Sequence, residues 1–361
     1  MNMELNRGEI VQSSKGRKAL DVLRGALRPI LSHLDNPNVQ EIMINRPEEI
    51  WVEESGVMQR IEASLQPLAV EMAIRALASN NDKKLTPIMD ARLPDMRVAA
   101  VMYPIAIHGH AMSLRKHAAQ QISLHEYVAN GAFSPFQVAE AQQSYRVGAQ
   151  RPSETLVQQG GDFLRQFLTW AVEHRHNVLI AGGTSSGKTT LTNALLQAIP
   201  ANQRVITIED TAELKLDAPN RVSFEANRDL GVDVRALVRV CLRFRPDRIV
   251  VGEIRGGEAY DLVDSLNTGH SGGISTIHAD TAESALNRLE SLMRMSPEAI
   301  NFPQAAMARQ IAQTFRFVVQ AANFGGQRGP VRVVEIVGFE QDKYQFREVF
   351  SRFPAGHPQW V

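Results

Sequence analysis

The sequence predicts an α/β protein in two parts: a smaller α+β domain, then a mainly parallel sheet covered by helices. Three observations predict it. The chain has 361 residues, beyond the roughly 250–300 at which a single core usually stops growing. Short strand-like runs with tight turns fill its first third. From about residue 162, apolar strands alternate with helical stretches, as in sheets buried on both faces.

Residues 1–16 read as a flexible tail, and the smaller domain as 17–146. Leu20, Leu23, Leu27, Ile30, Leu31 and Leu34 recur at helical spacing and predict one amphipathic helix over 19–34. Strands are expected at 39–44, 50–52 and 57–61, with Glu54-Ser55-Gly56 as a turn. Pro67 opens a helix to about 79, stopped by Asn80-Asn81-Asp82. Two more strands, 97–103 and 111–114, flank His108-Gly109-His110. Ser123 with Glu126 forms a capping box for a short helix ended by Gly131, and Ser134-Pro135 starts another. The Gly-, Pro- and Gln-containing stretch 147–161 reads as a linker. In the larger domain, 162–361, a helix at 162–175 precedes a strand at 177–181, a loop at 182–187 and a helix at 188–198. Strands follow at 204–208, 221–224, 248–252 and 273–277. A hairpin, 331–339 with 344–350, turns at Gln341-Asp342-Lys343.

Lys+Arg and Asp+Glu number 39 each, so no overall field marks a binder of nucleic acid or membrane surface. The single cysteine, Cys241, rules out an intramolecular disulfide framework and a cysteine-cluster zinc site. It sits in an apolar-patterned run and reads as a core residue. The start is polar and lacks a signal peptide's apolar stretch. No run approaches the 18 or so apolar residues of a membrane-spanning helix. Folding in the cytoplasm is expected.

The chemistry concentrates after the strand at 177–181. Gly182-Gly183-Thr184-Ser185-Ser186-Gly187-Lys188-Thr189, followed by Thr190, matches G-x-x-x-x-G-K-T between a strand and a helix. Small residues let backbone N–H groups turn inward around phosphates, and the helix directs its positive end at the same anion. Lys188 can reach β- and γ-phosphates, and the Thr189 hydroxyl can ligate Mg²⁺. ATP and Mg²⁺ are therefore the expected cofactors. Such a loop also needs carboxylates to hold Mg²⁺ and orient water. Glu253 follows the strand at 248–252, and Glu209-Asp210 ends that at 204–208. Both stand at strand C-termini, where open α/β sheets bind ligands. His278 follows a glycine-rich turn and a strand. From its residue type alone it is either a γ-phosphate contact or a buried histidine held by a carbonyl, and His270 reads as the latter.

Four boxes in this order carry a resemblance: the phosphate loop, the acidic box 206–214, the stretch 245–259 and the histidine box 268–280. They resemble the secretion-traffic ATPase superfamily, which powers type IV secretion, type II secretion and type IV pili. Asn36-Pro-Asn-Val-Gln-Glu-Ile-Met-Ile-Asn45, Ile50-Trp-Val-Glu53 and 267–273 are similar to its conjugal-transfer, TrbB-like branch. The resemblance covers about 18–320. It implies a homo-hexameric ring of subunits, each with an N-terminal domain and a RecA-like ATPase domain, on the cytoplasmic side of the inner membrane beside secretion or conjugation components. It implies that Glu209 orients water, Glu253 is the Walker B glutamate and a metal ligand with Thr189, and His278 senses the γ-phosphate. It also implies that Arg97 and Arg115 reach the nucleotide from the N-terminal domain. No four-cysteine insertion of the type II kind is present. A pilus motor shares all four boxes and stays open as an alternative. A DNA-binding RecA-like ATPase is opposed by the neutral charge and the lack of a basic, aromatic-rich stretch.

Overall fold

The computed structural model describes residues 21–80, 84–93, 96–116, 150–324 and 326–353. The expected tail and the helices near Ser123 and Ser134 lie outside them. The chain separates into two compact units, Met1–Ala149 and Gln150–Val361.

The first unit is α+β. Its six-stranded sheet has the order β3-β2-β1-β6-β5-β4 and every pairing in it is antiparallel. The strands are β1 (Val39–Arg46), β2 (Glu49–Glu54), β3 (Val57–Ile61), β4 (Ile88–Leu93), β5 (Met96–Val101) and β6 (Ala111–Lys116). Helix α1 (Pro67–Asn80) packs Val70, Ala73, Ile74 and Leu77 into the same core as Ile42, Ile44, Val98 and Leu114. The single helix expected over 19–34 is interrupted. Residues 21–26 are helical, a 3-10 turn covers Arg28–Ile30, and a short helix Leu31–Asp35 follows. Pro29 explains the break, because it has no N–H and its ring clashes with the preceding turn. The apolar face survives, with Leu23, Leu27, Ile30 and Leu34 all buried. β4 has no counterpart among the expected strands.

The second unit holds eight strands in the order β14-β13-β12-β7-β11-β10-β8-β9. They are β7 (Val178–Ala181), β8 (Arg204–Glu209), β9 (Asn220–Glu225), β10 (Arg248–Val251), β11 (Ile274–Ile277), β12 (Phe317–Phe324), β13 (Gln327–Glu340) and β14 (Lys343–Ser351). From β12 to β9 every pairing is parallel, and β12-β13-β14 is antiparallel. Every residue of β7, β10 and β11 is buried, as in a parallel sheet covered on both faces, although β10 opens with Arg248 and β11 holds Ser275 and Thr276. Helix α2 (Gly161–Glu173) contributes Phe167 and Trp170 to the core with Val178, Ile180 and Phe317. Helix α3 (Lys188–Leu196) follows β7 through the phosphate loop. Cys241 is buried, its thiol donates to the Val238 carbonyl, and burial pushes its pKa up. β12 is an unanticipated strand. It joins the expected C-terminal hairpin to β7.

The described part of the expected linker contains a short helix, Glu154–Val157, with Val157 in the core. Arg151 in that stretch donates to Glu335 at 2.7 Å and lies over the Trp170 ring at 5.5 Å. Two glycines of the histidine box serve packing. A Cβ on Gly272 would stand 2.7 Å from Arg248 Nη1, and one on Gly273 would stand 2.5 Å from Leu266 Cδ2. Asn177 Oδ1 accepts from both of their backbone N–H groups, at 2.7 and 2.8 Å.

Candidate active site

Four parallel strands deliver the site from their C-terminal ends. β7 runs into the phosphate loop, β8 ends on Glu209, β10 leads to Glu253 and β11 to His278. Because β7, β11, β10 and β8 are consecutive neighbours, these residues meet at one edge. A cavity of about 490 Å³ lies there, lined among others by Thr184, Lys188, Thr189, Glu209, Glu253 and His278. Ser185, Ser186, Gly187 and Thr190 also line it.

The loop is shaped by local necessity. Gly187 has φ +92°, a left-handed conformation that favours glycine. Gly182 has no room for a side chain, since a Cβ would meet the Ala321 carbonyl oxygen at 2.5 Å. Lys188 is buried and donates to the carbonyls of Gly182 and Gly183, both at 2.8 Å. Burial lowers its pKa, and Glu253 partly opposes the shift. Ser186 Oγ donates to the Gly183 carbonyl at 2.9 Å, closing the turn.

The two carboxylates differ. Glu209 is buried, and its Oε1 accepts from the backbone N–H groups of Glu213 (2.9 Å) and Leu214 (3.0 Å). Burial raises its pKa, and the two N–H groups oppose that. Gly252 makes space for it, because a Cβ there would fall 2.9 Å from Glu209 Cγ. Glu253 accepts from Arg255 Nη2 at 2.9 Å and pairs with Arg255 Nε at 2.8 Å. Burial opposes its ionisation, but Arg255, His278 and Lys188 outweigh it and lower its pKa. His278 Nε2 lies 3.5 Å from Glu253 Oε1. His270 meets the Ser265 carbonyl at 3.3 Å, in line with the unreactive reading.

Arg97 and Arg115 belong to the first unit. They are directly opposite each other on β5 and β6, and both are exposed. Neither forms an ion pair among the described residues. Like charges across a strand pair cost stability. Arg255 was not singled out by the sequence, although it stands two positions after Glu253. It also reaches Asp210 at 3.3 Å. Thr276 and Arg328, also in the lining, were missed as well.

Residues 25–324 match the profile of the Type II/IV secretion system protein family. The chain belongs to that family. A conjugal transfer protein TrbB of Rhizobium radiobacter is 34% identical over 321 residues, covering 86% of this chain and 88% of the relative. A type IV secretion system protein VirB11 of Bartonella quintana is 33% identical over 342 residues, covering 90% and 94%. The crystal structure of the VirB11 ATPase from the Brucella suis type IV secretion system, in complex with sulphate, aligns with a TM-score of 0.75 at 28% identity. It covers 92% of this chain and 95% of that one. Family membership fits the observed order of an α+β unit followed by a RecA-like P-loop unit. Among the described residues, no helix is long and apolar enough to cross a membrane.

Proposed function

We propose that the chain is an Mg²⁺-dependent ATPase, one subunit of a homo-hexameric ring that drives a type IV secretion or conjugal-transfer apparatus at the inner membrane. The observation that carries the chemistry is the meeting of Lys188 with two strand-end carboxylates around one cavity. The relatives' names carry the apparatus.

Each side chain has a task its surroundings suit. Lys188 leaves two carbonyls for the β- and γ-phosphates, where its charge offsets that of the leaving group. Glu209 is fixed through Oε1 by two N–H groups, which leaves Oε2 for the role we assign it, accepting from the attacking water. The donor set fits Mg²⁺: the Thr189 hydroxyl and the Glu253 carboxylate line the same cavity, and Mg²⁺ takes one or two protein oxygens beside phosphates and water. When bound, the ion supplies charge neutralisation at the phosphates. We assign to His278, which lines the same cavity, contact with the γ-phosphate, and to Arg97 and Arg115 the supply of positive charge to the nucleotide.

Lys188→Ala should lower ATP turnover by about 10²–10³-fold, the scale for removing one preorganised charge contact to a transition state. Arg97→Ala and Arg115→Ala are the sharper check; full turnover in both single variants sinks their assignment. For the ring, light scattering of Glu253→Gln with Mg²⁺ and an ATP analogue should give about six times the 40.0 kDa chain mass. A monomer throughout would overturn it.

A further inference from the structure

The cavity at the phosphate loop has a wall that none of the four sequence boxes supplies. Arg328, the second residue of β13, lines it beside Gly187. A Cβ placed on Gly187 would lie 3.2 Å from Arg328 Cβ and 3.9 Å from the Gly329 nitrogen. The start of β13 therefore passes directly over the loop. β13 is hydrogen-bonded to β12, and β12 to β7, the strand that runs into the loop. Arg328 and the loop are thus parts of one continuous sheet, which fixes their separation.

Its charge is uncommitted. The other strong cations of the cavity have protein partners: Lys188 donates to two carbonyls, and Arg255 pairs with Glu253 and Asp210. On the same antiparallel strands, Arg332 pairs with Glu348 and Glu283, and Arg347 with Glu335 and Glu154. Arg328 is exposed, and its side chain has no hydrogen bond or ion pair among the described residues. A guanidinium presents N–H donors in a rigid fork that matches phosphate oxygens.

We propose that Arg328 is a nucleotide-binding residue that holds the phosphate chain from the hairpin side, so that loop and hairpin together clamp the ligand. This rests on reading the cavity as a nucleotide site. It makes the β12–β13 hairpin a structural part of that site.

The test compares wild type, Arg328→Ala and Arg328→Lys by titration with Mg·ADP and a fluorescent ATP analogue, alongside turnover against ATP concentration. In Arg328→Ala, Kd and KM should rise about tenfold, the weight of one charge-assisted hydrogen bond. The change in kcat should be smaller, at most about threefold, because binding to ground and transition states is lost together. Arg328→Lys should recover part of the affinity, since it restores charge but not the fork. Melting without nucleotide should match wild type in both variants, while the nucleotide-induced rise in Tm shrinks in the alanine variant. Wild-type affinity in Arg328→Ala, or a fall in kcat with KM unmoved, would overturn the inference alone. Failure of the wild-type chain to bind either nucleotide would overturn the nucleotide reading and this inference with it.

Discussion

Glu253 and Glu335 stand at opposite ends of the same sheet, each among arginines. Glu335 is in register with Phe317, which is in register with Val178 at the start of β7; Glu253 lies beyond the other end, at the loop. Burial opposes ionisation of both, and in both the arginines prevail. Around Glu335, Arg151, Arg316 and Arg347 hold the carboxyl at about 2. Around Glu253, Arg255 does so first, with His278 and Lys188 adding to it. The difference is access. The Glu335 side chain is 0% exposed and that of Glu253 is 23%. Closed over, an arginine–carboxylate cluster ties Arg151, β13 and β14 together. Opened onto a cavity, the same chemistry leaves a carboxylate for which an incoming cation can compete with Arg255.

The comparison is broken most strongly at its closed end. Glu335→Ala should cost about 3 kcal/mol, the low end of the range for breaking a buried ion pair. Arg316 and Arg347 are nearly half exposed and can return to water. Urea unfolding measures the loss, and turnover per folded molecule should stay within about twofold because the cluster is remote from the cavity. A pH series sharpens it. The folded pKa of Glu335 lies below the unfolded value of 4.5, so its contribution is whole above about pH 4.5 and lost as pH falls to about 2. The stability gap between wild type and Glu335→Ala should close over that window. The smallest effect belongs to the open end. Arg255→Ala removes the main influence lowering the Glu253 pKa, so that pKa rises and the acid limb of kcat/KM moves to higher pH. Turnover at neutral pH should fall by about tenfold or less, with stability nearly unchanged, since exposed pairs contribute little.

Much of the site was legible because its parts are contiguous. Strand, loop and helix at 177–198 follow one another without interruption, and their glycines and lysine are meaningful only in that order. Glu209 and Glu253 were legible as acids closing apolar runs, whereas His278 was singled out for a role only through the family resemblance. Their convergence followed once the runs were taken as parallel strands. The pairing of Arg255 with Glu253 was not, because residues two apart face one another only when the loop folds back. The break at Pro29 was written in the sequence, but the apolar spacing on either side outweighed it in the reading.

The sequence by itself determined the class of each unit, the phosphate loop and the candidate residues at the strand ends, since these follow from local periodicity and turn chemistry. Only the tertiary structure decided the rest. β12 connects the C-terminal hairpin to β7, which sets Arg328 over Gly187 and closes Arg151, Arg316 and Arg347 around Glu335. The Arg328–Gly187 and Arg151–Glu335 contacts join residues more than a hundred positions apart in sequence. Such partners are chosen by sheet order and by the burial of charge, and neither leaves a mark in the spacing of neighbouring residues.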